Sequence, residues 1–261
     1  MRRHRVLAAT CLATVALLLS ACGSSDGGSA AGASSSGLSG QITVFAAASL
    51  TGSFTALGQK FEAAHPGTKV NFSFGPSSGL ATQITSGSPA DVFASASAKN
   101  MDAVVTAKAA ATPTTFARNV MEIAVPPANP AKITALADLA KPGVKVALCA
   151  AEVPCGVGAH LVFANAKLTV TPVTEEVDVK ATLTKVELGE VDAGIVYVTD
   201  VLAAGNKVKG IEIPADVNAS TSYPISTLTA SKNTGLAQAW VDYVLSADGA
   251  QALTDAGFQK P

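Results

Sequence analysis

The chain predicts an α/β fold built as two units, each a mostly parallel sheet with helices on both faces. Three observations carry this expectation. A β-α-β-α-β rhythm runs from Ile42 to Ala94. A second set of strand-like and helical runs lies between Met121 and Val198. The last third returns to strand at Ile225–Ala230 and ends in helical segments. A chain that leaves one unit, builds another and comes back crosses twice, and the crossings are expected near Phe116–Val120 and Ser222–Ile225.

Each element follows from local pattern. Ile42–Ala46 is a short apolar strand. Phe54, Leu57 and Phe61 sit at helical spacing, and His65-Pro66-Gly67 ends that helix. Val70, Phe72 and Phe74 alternate with Asn71 and Ser73, the period of a half-buried strand. Gly75-Pro76-Ser77-Ser78-Gly79 reads as a turn, with Leu80 and Ile84 opening a helix. Asp91–Ala94 is a third strand. In the second set Met121, Ile123 and Val125 alternate, Val144–Cys149 is a strand, and a helix starts near Cys155-Gly156. Val179–Leu188 is helical with Leu183 and Val186 toward the core, and Asp192–Val198 is a buried strand. Leu236–Leu245 and Ala247–Ala256 are helical.

The N-terminus sets the compartment. Arg2, Arg3 and Arg5 precede an apolar run from Val6 to Leu19, the length of a secretory core and too short to span a bilayer. Leu19-Ser20-Ala21-Cys22 resembles a bacterial lipobox, which implies cleavage after residue 21 and a lipid on Cys22; the alternative is an ordinary signal peptide with a chance cysteine. Residues 22–40 then form a Gly, Ser and Ala linker that cannot bury a core. Its reach is about 20–25 Å. The folded part is expected over residues 41–261.

Charge and cysteines narrow the partners. Lys and Arg number 18 against 19 acids; losing the three leader arginines leaves 15 against 19, a formal charge of −4. With no basic block, nucleic acid is not an expected partner. Cys11 leaves with the leader. Cys149 and Cys155, six apart in an oxidising compartment, are expected to pair as a disulfide; free thiols or a metal pair are the alternatives. His4, His65 and His160 form no ligand spacing with them, so no direct metal ligands are expected.

Four junctions share one pattern: strand, small or hydroxyl residues, helix. They fall at Ser49, Ser77-Ser78, Cys155-Gly156 and Val177–Val179. The first N–H groups of a helix lack internal partners, and with the helix dipole they favour negative charge. Tyr197, at the end of Gly194-Ile-Val-Tyr197, adds a phenolic donor. Taken singly, each serine is an N-cap and Tyr197 and Val179 are core residues; the set and its order carry the signal.

Val44-Phe-Ala-Ala-Ala-Ser-Leu50, Leu80-Ala-Thr-Gln-Ile84, Pro89-Ala-Asp-Val-Phe-Ala-Ser95 and Gly194-Ile-Val-Tyr197 resemble the molybdate-binding component of bacterial molybdate ABC transporters. The resemblance spans residues 41–261. It implies a two-lobed periplasmic binding protein fold of type II, with residues 41–118 and 225–261 in one lobe, 119–224 in the other and two hinge crossings. It also implies an ion site at Ser49, Ser77, Cys155, Val179 and Tyr197, molybdate or tungstate as ligand, no cofactor, and a permease with its ATPase as partners. A monomer anchored by lipid at the outer face of the cell membrane, or periplasmic, is expected. One departure is Cys155, where the family usually has a smaller residue such as Ala.

Molybdate is a dianion that only accepts hydrogen bonds, and hydroxyls and backbone N–H groups match it. No Arg or Lys lies in the matched motifs, so dipoles must supply the positive potential. Hydrogenphosphate carries a proton and needs an acceptor, and none of the five positions is acidic; the contrast requires Asp91, Asp178 and Glu176 to stay outside the site. Sulfate differs only in size. Rival readings are a sulfate or small-organic-acid binder, a structural surface lipoprotein, and a secreted serine hydrolase using Ser49 or Ser77 with His65 or His160. Neither serine lies in Gly-x-Ser-x-Gly. An organic carboxylate usually needs an arginine clamp, and Arg118 is the one arginine beyond the leader.

Overall fold

The computed structural model describes residues 37–261. The expected leader 1–21, the expected lipid site Cys22 and residues 23–36 of the expected linker lie outside the described residues. The elements run β1 Gly40–Ala47, α1 Thr51–Ala64, β2 Thr68–Gly75, α2 Ser77–Thr85, β3 Val92–Ala94, α3 Ala98–Thr106 and β4 Thr114–Val125. There follow β5 Val146–Cys149, α4 Pro154–Asn165, β6 Thr174–Glu176, α5 Val179–Glu187, β7 Ala193–Tyr197, α6 Val198–Ala204, β8 Lys209–Glu212, β9 Ser220–Thr227, α7 Thr234–Leu245 and α8 Ala247–Asp255.

The strands form one continuous path, β2-β1-β3-β9-β4-β7-β5-β6, with β8 paired to β4. β1 lies parallel to β2 and β3, and β5 lies parallel to β6 and β7. Between these parallel triplets run β4 and β9, antiparallel to each other and to their neighbours. β4 changes partner along its length. Thr114–Val120 pair with β9, whereas Met121–Val125 lie between β7 and β8.

Period-two alternation divides the first triplet between two cores. Ile42, Val44 and Ala46 of β1 face Phe54, Leu57, Phe61 and Trp240 of α1 and α7. Phe45 and Phe93 face the other way, onto Leu80, Ile84, Met101 and Val104 of α2 and α3. Trp240 meets Phe54 and Phe61 edge-on at 5.6 and 5.5 Å between ring centres, a geometry that adds about 0.5–1.5 kcal/mol per pair beyond burial. A separate cluster holds Met121, Ile123, Leu148, Val162, Leu183, Val186 and Ile195.

Several boundaries differ from the sequence expectation. Helix α2 begins at Ser77, inside the expected turn, because Pro76 takes the N-cap position and its carbonyl accepts from Leu80 N–H at 3.0 Å. β9 starts at Ser220, five residues before Ile225, and ends at Thr227. The linker ends earlier than expected: Gly40 is already in β1, Leu38 packs on the aromatic core, and Asn233 Nδ2 donates to the Ser39 carbonyl at 3.0 Å. Helices α3 and α6 and strand β8 have no counterpart in the sequence expectation.

Candidate oxyanion site

The ends of the parallel strands converge. Ser49 lies in a one-turn 3-10 segment, Ala48–Leu50, between β1 and α1. Ser77 is the first residue of α2, after β2. Cys155 is the second residue of α4, after β5, and Val179 is the first of α5, after β6. Tyr197 is the last residue of β7. Carboxyl ends of parallel strands are where open α/β sheets hold ligands. Here five such ends line one cavity, together with Ala47, Ala48, Gly75, Pro76, Ala96, Val153, Pro154 and Asp178. It is small: the centre of a water-sized sphere has about 20 Å³ to move in, little more than one water requires.

The donors are set up by local structure. The first intrahelical bonds of α2, α4 and α5 come from Leu80, Val157 and Thr182 N–H to the carbonyls of Pro76, Val153 and Asp178. The N–H groups of Ser77, Cys155 and Val179 therefore have no helical acceptor. Ser77 Oγ accepts from Ala96 N–H at 2.9 Å, which leaves its proton for the cavity. Ser49 Oγ lies 2.8 Å from the Tyr223 hydroxyl. The Tyr197 hydroxyl is fully buried and has no hydrogen-bond partner among the described residues. An unpartnered buried hydroxyl costs about 1–3 kcal/mol, and this one belongs to a cavity-lining side chain.

The buried charge beside the site, on Asp200, is paired. Asp200 is fully buried and its Oδ2 accepts from Tyr197 N–H at 3.2 Å. Its Oδ1 forms an ion pair with Lys180 Nζ at 2.8 Å. Burial pushes the Asp200 carboxyl up, against the opposing pull of Lys180. Burial also pushes the Tyr197 phenol well above the usual range, with Tyr223 and Asp200 adding to the shift. The phenol therefore keeps its proton, and remains a donor, throughout neutral and mildly alkaline pH. Among the described residues, no lysine, arginine or histidine lines the cavity.

The description of bacterial extracellular solute-binding proteins matches residues 42–259, nearly all of the described chain. The chain belongs to this family. A solute-binding protein of Mycobacterium tuberculosis, "Molybdate-binding protein ModA", is 42% identical over 244 residues, covering 93% of each chain. Two solved structures superpose with a TM-score of 0.73: the periplasmic molybdate-binding protein of Azotobacter vinelandii (18% identical, covering 84% of this chain and 99% of that one) and the sulfate-binding protein SubI of M. tuberculosis (19% identical, covering 84% and 86%). At these identities the superpositions speak for the fold, an α/β periplasmic binding protein, and do not choose between anions.

In this solute-binding protein all five residues expected from sequence line the one cavity, and Ser77 rather than Ser78 is the serine that does so. Cys149 and Cys155 are joined by a disulfide that ties the end of β5 to the start of α4. The condition that set phosphate apart is met in part. Asp178 lines the cavity, although its Oδ1 is engaged as the cap of α5, accepting from Ala181 N–H at 2.9 Å. Asp91 and Glu176 are not in the lining. Their carboxylates accept from Thr43 N–H and Ser231 Oγ, and from Thr174 Oγ1, respectively. His65, His160 and Arg118 do not line it either. Sequence reasoning missed Tyr223, Asn119 and Thr199, which form a buried polar chain behind Ser49.

Proposed function

We propose that this protein binds molybdate in the cavity at Ser49, Ser77, Cys155, Val179 and Tyr197, and delivers it to an ABC importer. The single observation that carries the reading is the Tyr197 hydroxyl, buried and unpartnered among the described residues beside two serines and three helix starts. An acceptor-only dianion satisfies all of these groups at once. The absence of cationic side chains from the lining and the 42% identity to a protein named for molybdate point the same way. A larger hollow of about 410 Å³ is lined by Glu122 and Glu212, acids that repel an anion, and one of about 350 Å³ carries both Lys180 and Asp255.

Tungstate, with the same charge and shape, belongs in the same reading. Sulfate is the second reading, since it too only accepts hydrogen bonds. Catalysis is not part of it: Ser49 and Ser77 have Tyr223 and Ala96 N–H as neighbours rather than a histidine. No helix among the described residues is long and apolar enough to cross a membrane. Lipid on Cys22 would hold the domain, as a monomer, at the outer face of the membrane. Lobes 41–118 with 225–261 and 119–224 would close on the ion about β4 and β9, a change visible as different scattering profiles with and without molybdate.

Thermal unfolding with molybdate, tungstate, sulfate and phosphate tests the proposal. Ligand at one hundred times its dissociation constant adds about 2.7 kcal/mol, which raises the midpoint by about 5–10 °C for a domain of this size. Molybdate and tungstate should do this, and phosphate should do so less, since the one carboxylate in the lining, Asp178, is already engaged as the cap of α5. A midpoint unmoved by millimolar molybdate overturns the reading, and a larger shift with sulfate replaces it with the second.

A further inference from the structure

We propose that Tyr223, itself held by Asn119, fixes the Ser49 hydroxyl as a donor into the cavity and so favours an anion without a proton. This rests on the molybdate reading and deepens it.

The direction of the chain of hydrogen bonds follows from its far end. Asn119 Oδ1 accepts from Val120 N–H at 3.0 Å, which turns Nδ2 toward the interior. Nδ2 can only donate, and it reaches Thr199 Oγ1 at 2.8 Å and the Tyr223 hydroxyl at 3.5 Å. Tyr223 thus accepts a hydrogen bond from Asn119 and directs its own O–H to Ser49 Oγ, 2.8 Å away. Ser49 accepts, and its proton has no other acceptor among the described residues than what enters the cavity. All four residues are at most 7% exposed. Burial holds the Tyr223 phenol above its ordinary value, so the donated proton stays in place. The Tyr223 ring is fixed by edge contacts with Phe258 at 5.2 Å, Phe116 at 6.2 Å and Tyr197 at 6.3 Å. Ser77 is treated alike, its oxygen taken by Ala96 N–H.

Hydrogenphosphate must place its own proton on an acceptor; the Asp178 carboxylate in the lining already accepts from Ala181 N–H, and a serine oxygen already receiving a hydrogen bond is a poor one. Tyr223 is therefore a positioning residue with a consequence for selectivity. Removing its hydroxyl frees the Ser49 oxygen to accept.

The test is calorimetry of molybdate and phosphate with the wild-type protein, Ser49→Ala, Ser77→Ala, Tyr223→Phe, and each serine variant combined with Tyr223→Phe. Tyr223→Phe should weaken molybdate about fivefold, one net hydrogen bond's worth, and narrow the ratio of molybdate to phosphate affinity. Combined with Ser49→Ala it should add nothing, because the residue it orients is gone. Combined with Ser77→Ala the two losses should multiply. Multiplied losses with Ser49→Ala, or wild-type affinities in Tyr223→Phe, overturn the inference while leaving the site reading intact. Wild-type affinity in Ser49→Ala, or no molybdate binding by the wild type, overturns the site reading itself. Should Tyr223→Phe fail to unfold cooperatively, Asn119→Leu takes its place in the same cycle with the same outcomes.

Discussion

The carbonyl oxygen of Ala150 lies 1.9 Å from where a Cβ on Gly156 would stand. The loop after β5 thus folds back over the first turn of α4, and its Ala150 carbonyl also accepts from Val153 N–H at 3.1 Å. Only a residue without a side chain lets that loop close. Gly156→Ala must push the loop off the helix and move the Cys155 N–H with it. The expected result is about 1–3 kcal/mol of lost stability, as for other overpacked sites, together with at least tenfold weaker molybdate binding. Chemical unfolding and calorimetry check the two halves. Unchanged affinity would show that the α4 start lends nothing to the ion.

Tyr197→Phe should move affinity and stability in opposite directions. The ligand loses a strong donor, so affinity should fall about 30-fold, or roughly 2 kcal/mol. The empty protein loses a buried hydroxyl that has no partner among the described residues, so its melting midpoint should stay level or rise. A fall in the midpoint would mean that the hydroxyl is satisfied within the protein.

The Cys149–Cys155 disulfide closes a short loop. Loop-closure entropy for so few residues gives about 2 kcal/mol. Reduction, or replacement of both cysteines by serine, should lower the midpoint by about 4–8 °C. It should also weaken molybdate, because Cys155 lines the cavity. Melting and calorimetry with and without reductant measure both. A lowered midpoint with unchanged affinity would assign the bond to the fold alone.

Glu122 on β4 faces Glu212 on β8 in the strand register. Burial first, and then the charge of Glu212, pushes the Glu122 carboxyl up. Its folded value therefore lies above its unfolded one, and the folded state holds the proton more tightly. That contribution to stability is complete below the unfolded value, near pH 4.3, and is lost as pH rises through the folded value. Glu122→Gln should raise the midpoint at pH 7.5 and change it little at about pH 4. Calorimetric melts at both values decide it, and an equal shift at both would exclude titration of this group.

Much of the framework could be read from sequence because its long helices and alternating strands are periodic. Phe54, Leu57 and Phe61 fall where spacing puts them, all fully buried. Short or weakly patterned elements could not be read so. Helix α3 buries only Met101 and Val104, helix α6 has seven residues, and β8 has four with none buried. The five lining positions came from motif order and resemblance, and each sits at a local strand end that pattern can mark. The chain behind Ser49 is different in kind. Its contacts join residues 80 to 174 apart in sequence, and no local signal connects such distances. Asp178 shows the opposite difficulty. Its N-cap role is a local signal, but whether a cap also lines a cavity depends on how neighbouring elements pack.

Cys155 and Val179 carry side chains with nothing to give an oxyanion: one sulfur is bound to its partner, the other side chain is hydrocarbon. What these positions can contribute is peptide, not side chain. A change of side chain there leaves the N–H donor in place, provided the helix begins at the same point. Inheritance at such a site acts on where a helix starts, and comparing letters column by column undercounts it.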